Sequence, residues 1–589
     1  MLKRLVQSLL HGGVGGAPPG AEAVTPTGRL HVCITEAAQR AAAGDHAAAA
    51  GFYRESLELQ PLDPRIWCNL GAELDATGQP SDAERAYRRA LELDPALAQA
   101  WYNLGRLLQQ GDRLAEAESC YREAAARVDA RADRPLWQLI YNNWGLLLYT
   151  QGRPTEAVAL YRQAIAEHGD AADLWSNLLL TMQYAEDYTQ AQLFAEHLAY
   201  AQRFETPLKA SWPAHPNSRE PGRRLKIAYV SPDFRAHSVA FFIEPVLAHH
   251  DRGQTEVYCY CSNPSSDQVT LRLKSLVEHW RDISAMGDGE ASRQIMEDGI
   301  DILVDLAGHT AGGRLQIFAR KPAPVQLTWL GYPCTTGLSA MDYRFSDIHA
   351  DPVGMSEAYY SEKIYRLPDT FDCYAPAPDA PAVGALPALA QGAITFGSFN
   401  NLAKLSPAVR RLWARVLLAV SGSRLLLKAA ALADASTRQR LIDDFAALGV
   451  GAERLLLVPR DATHSAHLGR YNQIDIGLDP FPYNGVTTSF EAVWMGVPVV
   501  TLAGSSFYAR MGVSMLTNLG MSELVALTPQ DYVATAARLA GDLDRLAALR
   551  AGLRGRMANS LLTDAKRFTL HLEGAYRKMW ADWCAGPHA

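Results

Sequence analysis

The 589-residue chain contains no Cys-x-x-Cys pair; its eight cysteines, Cys33, Cys68, Cys120, Cys259, Cys261, Cys334, Cys373 and Cys584, are scattered. Thiols so placed in a chain this large are expected to be reduced core residues, which excludes a disulfide frame or a cysteine zinc site. Basic charge is not in excess either: 56 Lys and Arg against 63 Asp and Glu leave a formal net charge of -7. Without a basic field, neither nucleic acid nor an anionic membrane surface is expected as a partner. No stretch reaches the ~18 consecutive apolar residues of a membrane span. Met1-Leu2-Lys3-Arg4 followed by Leu5 to Leu10 imitates a signal peptide, but Gln7, Ser8 and His11 interrupt a run that is already short. The expected compartment is therefore cytoplasmic. The glycine- and proline-rich 12–20 reads as the heart of a flexible leader over residues 1–28.

What the chain does have is length and repetition. With 48% apolar and 20% charged residues it can bury several cores, and its length suggests about three or four domains. Trp67, Asn69, Leu70 and Gly71 recur as Trp101, Asn103, Leu104 and Gly105 at a shift of 34 residues, which also links Ala83 to Ala117 and Tyr87 to Tyr121. The same shift backwards finds Gly44, Ala49 and Tyr53; forwards, a shift of 40 reaches Gly145, Ala157 and Tyr161, implying six inserted residues near 128–134. A last step of 34 carries Tyr141 and Asn143 to Trp175 and Asn177. Such a period marks stacked helical pairs, about five here, over residues 29–205. The pattern resembles the tetratricopeptide repeat, with Asp63-Pro64 and Asp94-Pro95 closing one unit and opening the next. A solenoid of this kind presents a concave face to extended peptide. Asn69, Asn103, Asn143 and Asn177 either stitch neighbouring helices together or form a ladder that binds the backbone of an acceptor; the spacing allows both.

From Arg224 the texture changes to short apolar runs alternating with helical patterns. Leu225 to Val230, Glu256 to Cys261, Ile302 to Leu306 and Val325 to Leu330 form one set; Ile394 to Phe399, Arg424 to Lys428, Arg454 to Val458, Ile474 to Leu478 and Pro498 to Leu502 form a second. The alternation predicts two doubly wound, Rossmann-like α/β domains, over 224–373 and 393–562, with a linker at 374–392 and a terminal helix over 563–589. Ligands of such sheets sit at the carboxyl ends of strands, so the loops after these runs should hold the chemistry.

Those loops carry a resemblance. The block Asp479-Pro480-Phe481-Pro482-Tyr483-Asn484-Gly485-Val486-Thr487-Thr488-Ser489-Phe490-Glu491 resembles the nucleotide-sugar loop of the O-GlcNAc transferase family, as do Phe399 to Pro407 and Ala462 to Arg470. In the first half, Ser231 to His237, Asp305 to Thr310, Pro322 to Gln326 and Trp329 to Gly337 are similar to that family's histidine and sugar-side loops. The chain is thus identified as a bacterial-type member of the tetratricopeptide-repeat O-GlcNAc transferases, which implies a GT-B arrangement of the two halves. It further implies that Lys404 contacts the donor diphosphate beside Asn401, that His467 stacks on the uracil, and that Ala462, His464 and Arg470 line the nucleoside pocket. Thr487 and Thr488 would offer a helix N-terminus to the diphosphate, and Glu491 would accept from donor hydroxyls. His237 would lie at the reacting centre, the base being either this histidine or a proton relay, with His309 and Thr310 near the sugar.

The activity implied is inverting transfer of N-acetylglucosamine from UDP-N-acetylglucosamine to Ser or Thr of a protein seated on the repeats. No cofactor is expected beyond the donor substrate. No Asp-x-Asp stands at a strand end, so no metal is expected; a homodimer through the repeats is a further expectation. The sequence also departs from the family: Val486 stands where animal relatives have histidine, Cys334 where glycine is usual, and Ala403 where animal enzymes have tyrosine. These departures leave the donor open. SPINDLY-like relatives transfer fucose from a GDP-sugar, related bacterial enzymes glucosylate asparagine, and a decayed transferase would leave a repeat scaffold.

Overall fold

In the computed structural model, residues 25–168 and 171–586 are described. The leader expected over 1–28 lies outside them except at its end, where a helix already begins at Pro26. Two compact units are present, Met1–Leu147 and Leu148–Ala589.

The first unit is helical hairpins: Pro26–Ala42 with His46–Leu59, Pro64–Ala76 with Pro80–Leu93, and Ala98–Gln110 with Leu114–Arg127. Each repeated residue has a local reason. The Asp63 carboxylate caps the amides of Arg65 and Ile66 while Pro64 opens the first turn. The Trp67 indole donates to the Pro61 carbonyl at 2.9 Å, and Trp101 repeats the bond to Pro95 at 3.0 Å. Gly71 must be small, because a Cβ there would stand 2.6 Å from the Tyr87 ring. The six residues 128–133 precede a fourth pair, Arg134–Thr150 with Pro154–Glu167, and a fifth, Ala172–Met182 with Gln190–Phe204, completes the five expected. The boundary between the units falls inside the helix Arg134–Thr150.

The second unit holds two all-parallel sheets. β1 (Leu225–Ser231), β2 (Thr255–Cys261), β3 (His279–Asp282), β4 (Ile302–Asp305), β5 (Val325–Thr328), β6 (Tyr343–Asp347) and β7 (Lys363–Leu367) lie in the order β3-β2-β1-β4-β5-β6-β7. β8 (Thr395–Ser398), β9 (Arg424–Lys428), β10 (Leu455–Val458), β11 (Ile476–Leu478), β12 (Val499–Leu502) and β13 (Val525–Ala526) lie in the order β10-β9-β8-β11-β12-β13. Both orders reverse beside their first strand, the switch point at which doubly wound sheets open a crevice for ligands. Strands β3, β6, β7 and β13 are additional to those read from apolar runs. β3 and β7 are sheet edges, where His279, Arg281, Lys363 and Arg366 keep contact with water. β6 is interior but buries Arg344, whose guanidinium lies 4.3 Å from the Tyr360 ring and 4.5 Å from that of Phe507.

The segment 374–392 is pinned at its start, where Tyr374 and Ala375 donate to Leu562 and Phe241 carbonyls, and contains a short helix, Pro387–Gln391. The terminal helix Ala565–Ala585 returns to the first sheet and buries Phe568, Leu572, Tyr576, Met579 and Trp580 in its core. The fifth repeat is welded to the same sheet: Leu179, Tyr200 and Ala201 share a core with Val230, Tyr260 and Phe318.

Candidate active site

A cleft of about 250 Å³ opens between the two sheets, lined from the first by His237, Gly331, Pro333 and Asp372 and from the second by Asn400, Asn401, Lys404, Tyr483, Thr487 and Thr488. These residues follow β1, β5 and β7, and β8 and β11, so the cleft lies at the second sheet's switch point and along the carboxyl ends of the first sheet's strands.

The second half supplies a cationic and amide-rich wall. Asn401 caps the turn Leu402–Lys404, accepting from the Ala403 amide at 3.0 Å. The turn buries the Lys404 ammonium, which donates to the Asn484 carbonyl at 2.7 Å and to Asn400 Oδ1 at 3.2 Å. Burial pushes its pKa down to about 8, with Asp479 opposing the shift. Asn400 Oδ1 also accepts from Thr488 Oγ1 at 3.0 Å, so one amide ties the lysine to the helix Thr487–Trp494. Val486 at the cap of that helix carries no side-chain acceptor, and the Thr487 and Thr488 amides have none among the described residues. Free amides at a helix N-terminus beside an ammonium make an anion site. Asp479 holds the loop from below: it accepts from the Gly485 amide at 2.7 Å and from Thr501 Oγ1 at 2.7 Å.

Deeper in the same half runs a chain of charges. Asp461 accepts from Lys428 Nζ at 2.8 Å and from Arg470 Nε at 2.8 Å, and Lys428 also donates to His467 Nδ1. An ammonium can only donate, so the His467 proton sits on Nε2, which meets Glu491 Oε2 at 2.8 Å. His464 Nε2 meets Oε1 of the same carboxylate at 3.0 Å. Burial pushes the Glu491 carboxyl up, but the His464 and His467 bonds outweigh it and hold it below its ordinary value. Glu491 is therefore occupied by two histidines here, rather than open to donor hydroxyls as the sequence suggested. The His464 ring also stacks on Phe241 of the first half, centroids 5.2 Å apart.

On the opposite wall, His237 is half-buried after β1. Its Nδ1 accepts from the Val239 amide at 3.3 Å and lies 3.6 Å from Asp233. Burial lowers its pKa against the pull of Asp233, which leaves a neutral imidazole. Asp372 is buried with one oxygen on Thr370 at 3.0 Å and the other without a hydrogen-bond partner; burial and the charge of Asp347 push its pKa up to about 8.

Three residues expected at the donor do not line this cleft. His309 is fully buried, with Nδ1 on Ser176 Oγ at 2.9 Å and Nε2 on the Thr336 carbonyl at 3.0 Å. It is a dovetail between the fifth repeat and the first sheet, assisted by the His197 contact to Tyr332 OH at 2.7 Å. Thr310 closes its own turn by donating to the Ala307 carbonyl at 2.7 Å, and Ala462 is exposed. In the repeats, Asn103 donates back to Cys68 at 3.6 Å, Asn143 to Tyr102 OH at 2.9 Å, and Asn69 bonds Tyr53, so these three stitch helices. Asn177 stands in the fifth repeat, on the helix Ala172–Met182. Sequence reasoning missed Asn400, Lys428, Asp461 and the role of Tyr483. Lys428 had a signal, a charge ending the apolar run Leu425-Leu426-Leu427; Asn400 had none apart from its neighbour. Among the described residues, no group of three or more His, Cys, Asp or Glu side chains could hold a metal.

Comparison with known proteins agrees with this geometry. Residues 187–374 and 384–572 match the family described as Glycosyl transferase family 41, and 64–97, 96–166 and 142–199 match tetratricopeptide repeats. A Petunia hybrida protein named probable UDP-N-acetylglucosamine–peptide N-acetylglucosaminyltransferase SPINDLY is 42% identical over 71% of this chain and 45% of its own length. An Arabidopsis thaliana protein of the same activity name, SEC, is 32% identical over 67% of this chain and 41% of its own. The chain thus spans less than half the length of the curated relatives it matches. The solved structure of a lysine-to-methionine mutant of the Thermobaculum terrenum O-GlcNAc transferase superposes with a TM-score of 0.79 at 38% identity, over 89% of this chain and 98% of that one.

Proposed function

The chain belongs to glycosyl transferase family 41, and from that membership we propose that it moves N-acetylglucosamine from UDP-N-acetylglucosamine to Ser or Thr hydroxyls of a protein held by the repeats. The observation that carries the reading is that Asn400 Oδ1 ties the Lys404 ammonium to the Thr488 hydroxyl, at the helix start where the Thr487 and Thr488 amides have no acceptor among the described residues. Breaking a sugar–phosphate bond builds negative charge on the leaving diphosphate, and a fixed ammonium with helix amides stabilises that charge more than the ground state. His467, fixed by Glu491 and Lys428, would face the base, and Arg470, held by Asp461, would border the nucleoside. Attack by the acceptor hydroxyl from the face opposite the diphosphate inverts the anomeric carbon. His237 would take the hydroxyl proton at Nε2 once its ring hydrogen stands on Nδ1, which exchanges the bond from the Val239 amide for one to Asp233, 3.6 Å away.

A second reading, a GDP-sugar donor, rests on the departures at Val486 and Ala403 in the loops of the donor wall; the relatives named SPINDLY and SEC both carry UDP-N-acetylglucosamine in their names. Titration of the purified chain with UDP and with GDP, repeated on Lys404→Ala and His467→Ala, separates the readings. UDP binding lost in both variants supports the first; preference for GDP replaces it with the second; binding of neither nucleotide leaves a repeat scaffold.

A further inference from the structure

Three tyrosines connect the repeats to the cleft. Tyr149 ends the helix Arg134–Thr150, Tyr184 follows the helix Ala172–Met182, and Tyr483 belongs to the loop after β11. Tyr149 meets Tyr184 edge-on at 5.0 Å, and Tyr184 lies flat on Tyr483 at 4.4 Å with the planes 10° apart. The Lys404 ammonium stands 4.5 Å from the centroid of that same Tyr483 ring. The turn bearing Lys404 is itself pressed by a repeat: a Cβ on Gly152 would stand 2.9 Å from the Leu402 carbonyl oxygen. Nearby, Arg440 donates to the Gln151 carbonyl at 2.6 Å, and Glu186 accepts from the Ala408 amide.

An ammonium removed from water needs replacement for its hydration shell. Lys404 has two oxygen acceptors, and the face of Tyr483 is the third group against it. The charged group facing it is Asp479, already engaged by Thr501, Ser489 and Gly485. The ring that completes the shell is braced by a residue of another element, Tyr184 of the fifth repeat, so its position depends on how that repeat is seated.

We propose that Tyr483 and Tyr184 are positioning residues for Lys404, through which the last repeats set the placement of the donor-binding cation. The inference rests on the reading that Lys404 meets the donor diphosphate. It gives the repeats a second role, apart from any acceptor they bind: holding the donor wall in register.

The test is calorimetric titration of the full chain with UDP between pH 7 and 9.5, on the wild type, Tyr184→Leu, Tyr184→Phe and Lys404→Ala. Loss of a partly desolvated cation–π contact corresponds to about a 3- to 30-fold change. Tyr184→Leu should therefore bind UDP about 3- to 30-fold more weakly and lose affinity at a lower pH than the wild type, while Tyr184→Phe, which keeps the stack and loses only the hydroxyl's bonds to Tyr149 and Tyr483, should be weakened less than Tyr184→Leu. A Tyr184→Leu chain with native circular dichroism and an unchanged affinity and pH profile overturns the proposal. If that variant does not fold, Tyr483→Leu carries the same expectation and the same refutation. Undiminished UDP binding by Lys404→Ala overturns the donor-site reading as well; loss in Lys404→Ala with no effect of Tyr184→Leu overturns the positioning role alone.

Discussion

Replacing Glu491 by glutamine perturbs the charge chain of the second half without changing its volume. The carboxylate accepts from His464 Nε2 at 3.0 Å and His467 Nε2 at 2.8 Å, and it is 3% exposed. A hydrogen bond to a charged group contributes about 1.5–3 kcal/mol, and an unmet buried donor costs a similar amount. Glutamine keeps one acceptor oxygen but turns an NH₂ toward the other imidazole N–H, so the variant should lose about 2–4 kcal/mol. Restoring the His467 orientation on nucleotide binding would draw on the same energy, and about 1.4 kcal/mol is tenfold in affinity. UDP binding is therefore expected to weaken by at least about tenfold. The pH dependence has a definite sign. The folded carboxyl lies below its ordinary value of 4.5, so its contribution is present above pH 4.5 and is lost as pH falls through the depressed folded value. Calorimetric unfolding at several pH values, with UDP titration at pH 7, reads both quantities. A Glu491→Gln chain that unfolds at the wild-type temperature and binds UDP with wild-type affinity at pH 7 would refute the reasoning.

Other predictions follow from single contacts. Lys404, at about 8 in the empty cleft, is charged below that pH and must take up a proton above it to meet a diphosphate. UDP affinity should then be flat below pH 8 and fall by up to about tenfold per unit above it, a dependence that Lys404→Met should abolish in the same titration. Asp372, with a folded value near 8 raised from 3.8, stabilises the fold in its neutral form below pH 4 and loses that contribution as pH rises through 8. Asp372→Asn should raise the unfolding temperature at pH 8, by an energy on the order of a few kcal/mol, and change it little at pH 4. Trp580 is fully buried, with the Arg223 guanidinium 4.7 Å from its ring, so Trp580→Ala should cost about 3–5 kcal/mol in thermal unfolding. Glu573→Ala removes the partner of the buried His250 Nδ1, at 2.8 Å, and should cost about 1–3 kcal/mol by the same measurement.

Much of the architecture was legible because the physics is periodic. Stacked hairpins must repeat Gly71 wherever a Tyr87 ring crosses, and Gly105 does so for Tyr121, so the register showed in the spacing. Strands covered on both faces, such as β1, β4 and β9, became apolar runs. Edge strand β3, His279-Trp280-Arg281-Asp282, has no such run because half of its surface meets water. β6 hid because Arg344 and Asp347 meet rings and hydroxyls far away in sequence, Phe507 and Ser514 among them.

The sequence by itself determined the repeats, the two α/β halves and the loops that carry Lys404, Thr487, Thr488 and His237, since those depend on local pattern and on motifs within one loop. Tertiary structure decided what each polar side chain does. His309 and His467 look alike as isolated histidines in polar loops, yet one is clasped by Ser176 and the Thr336 carbonyl, the other by Lys428 and Glu491. Tyr184 and Tyr483, 299 residues apart, became a stack only when the fifth repeat docked against the second sheet's loop. A side chain's role is set by the partners that remain once water has been removed, and those partners come from segments whose proximity no local pattern records.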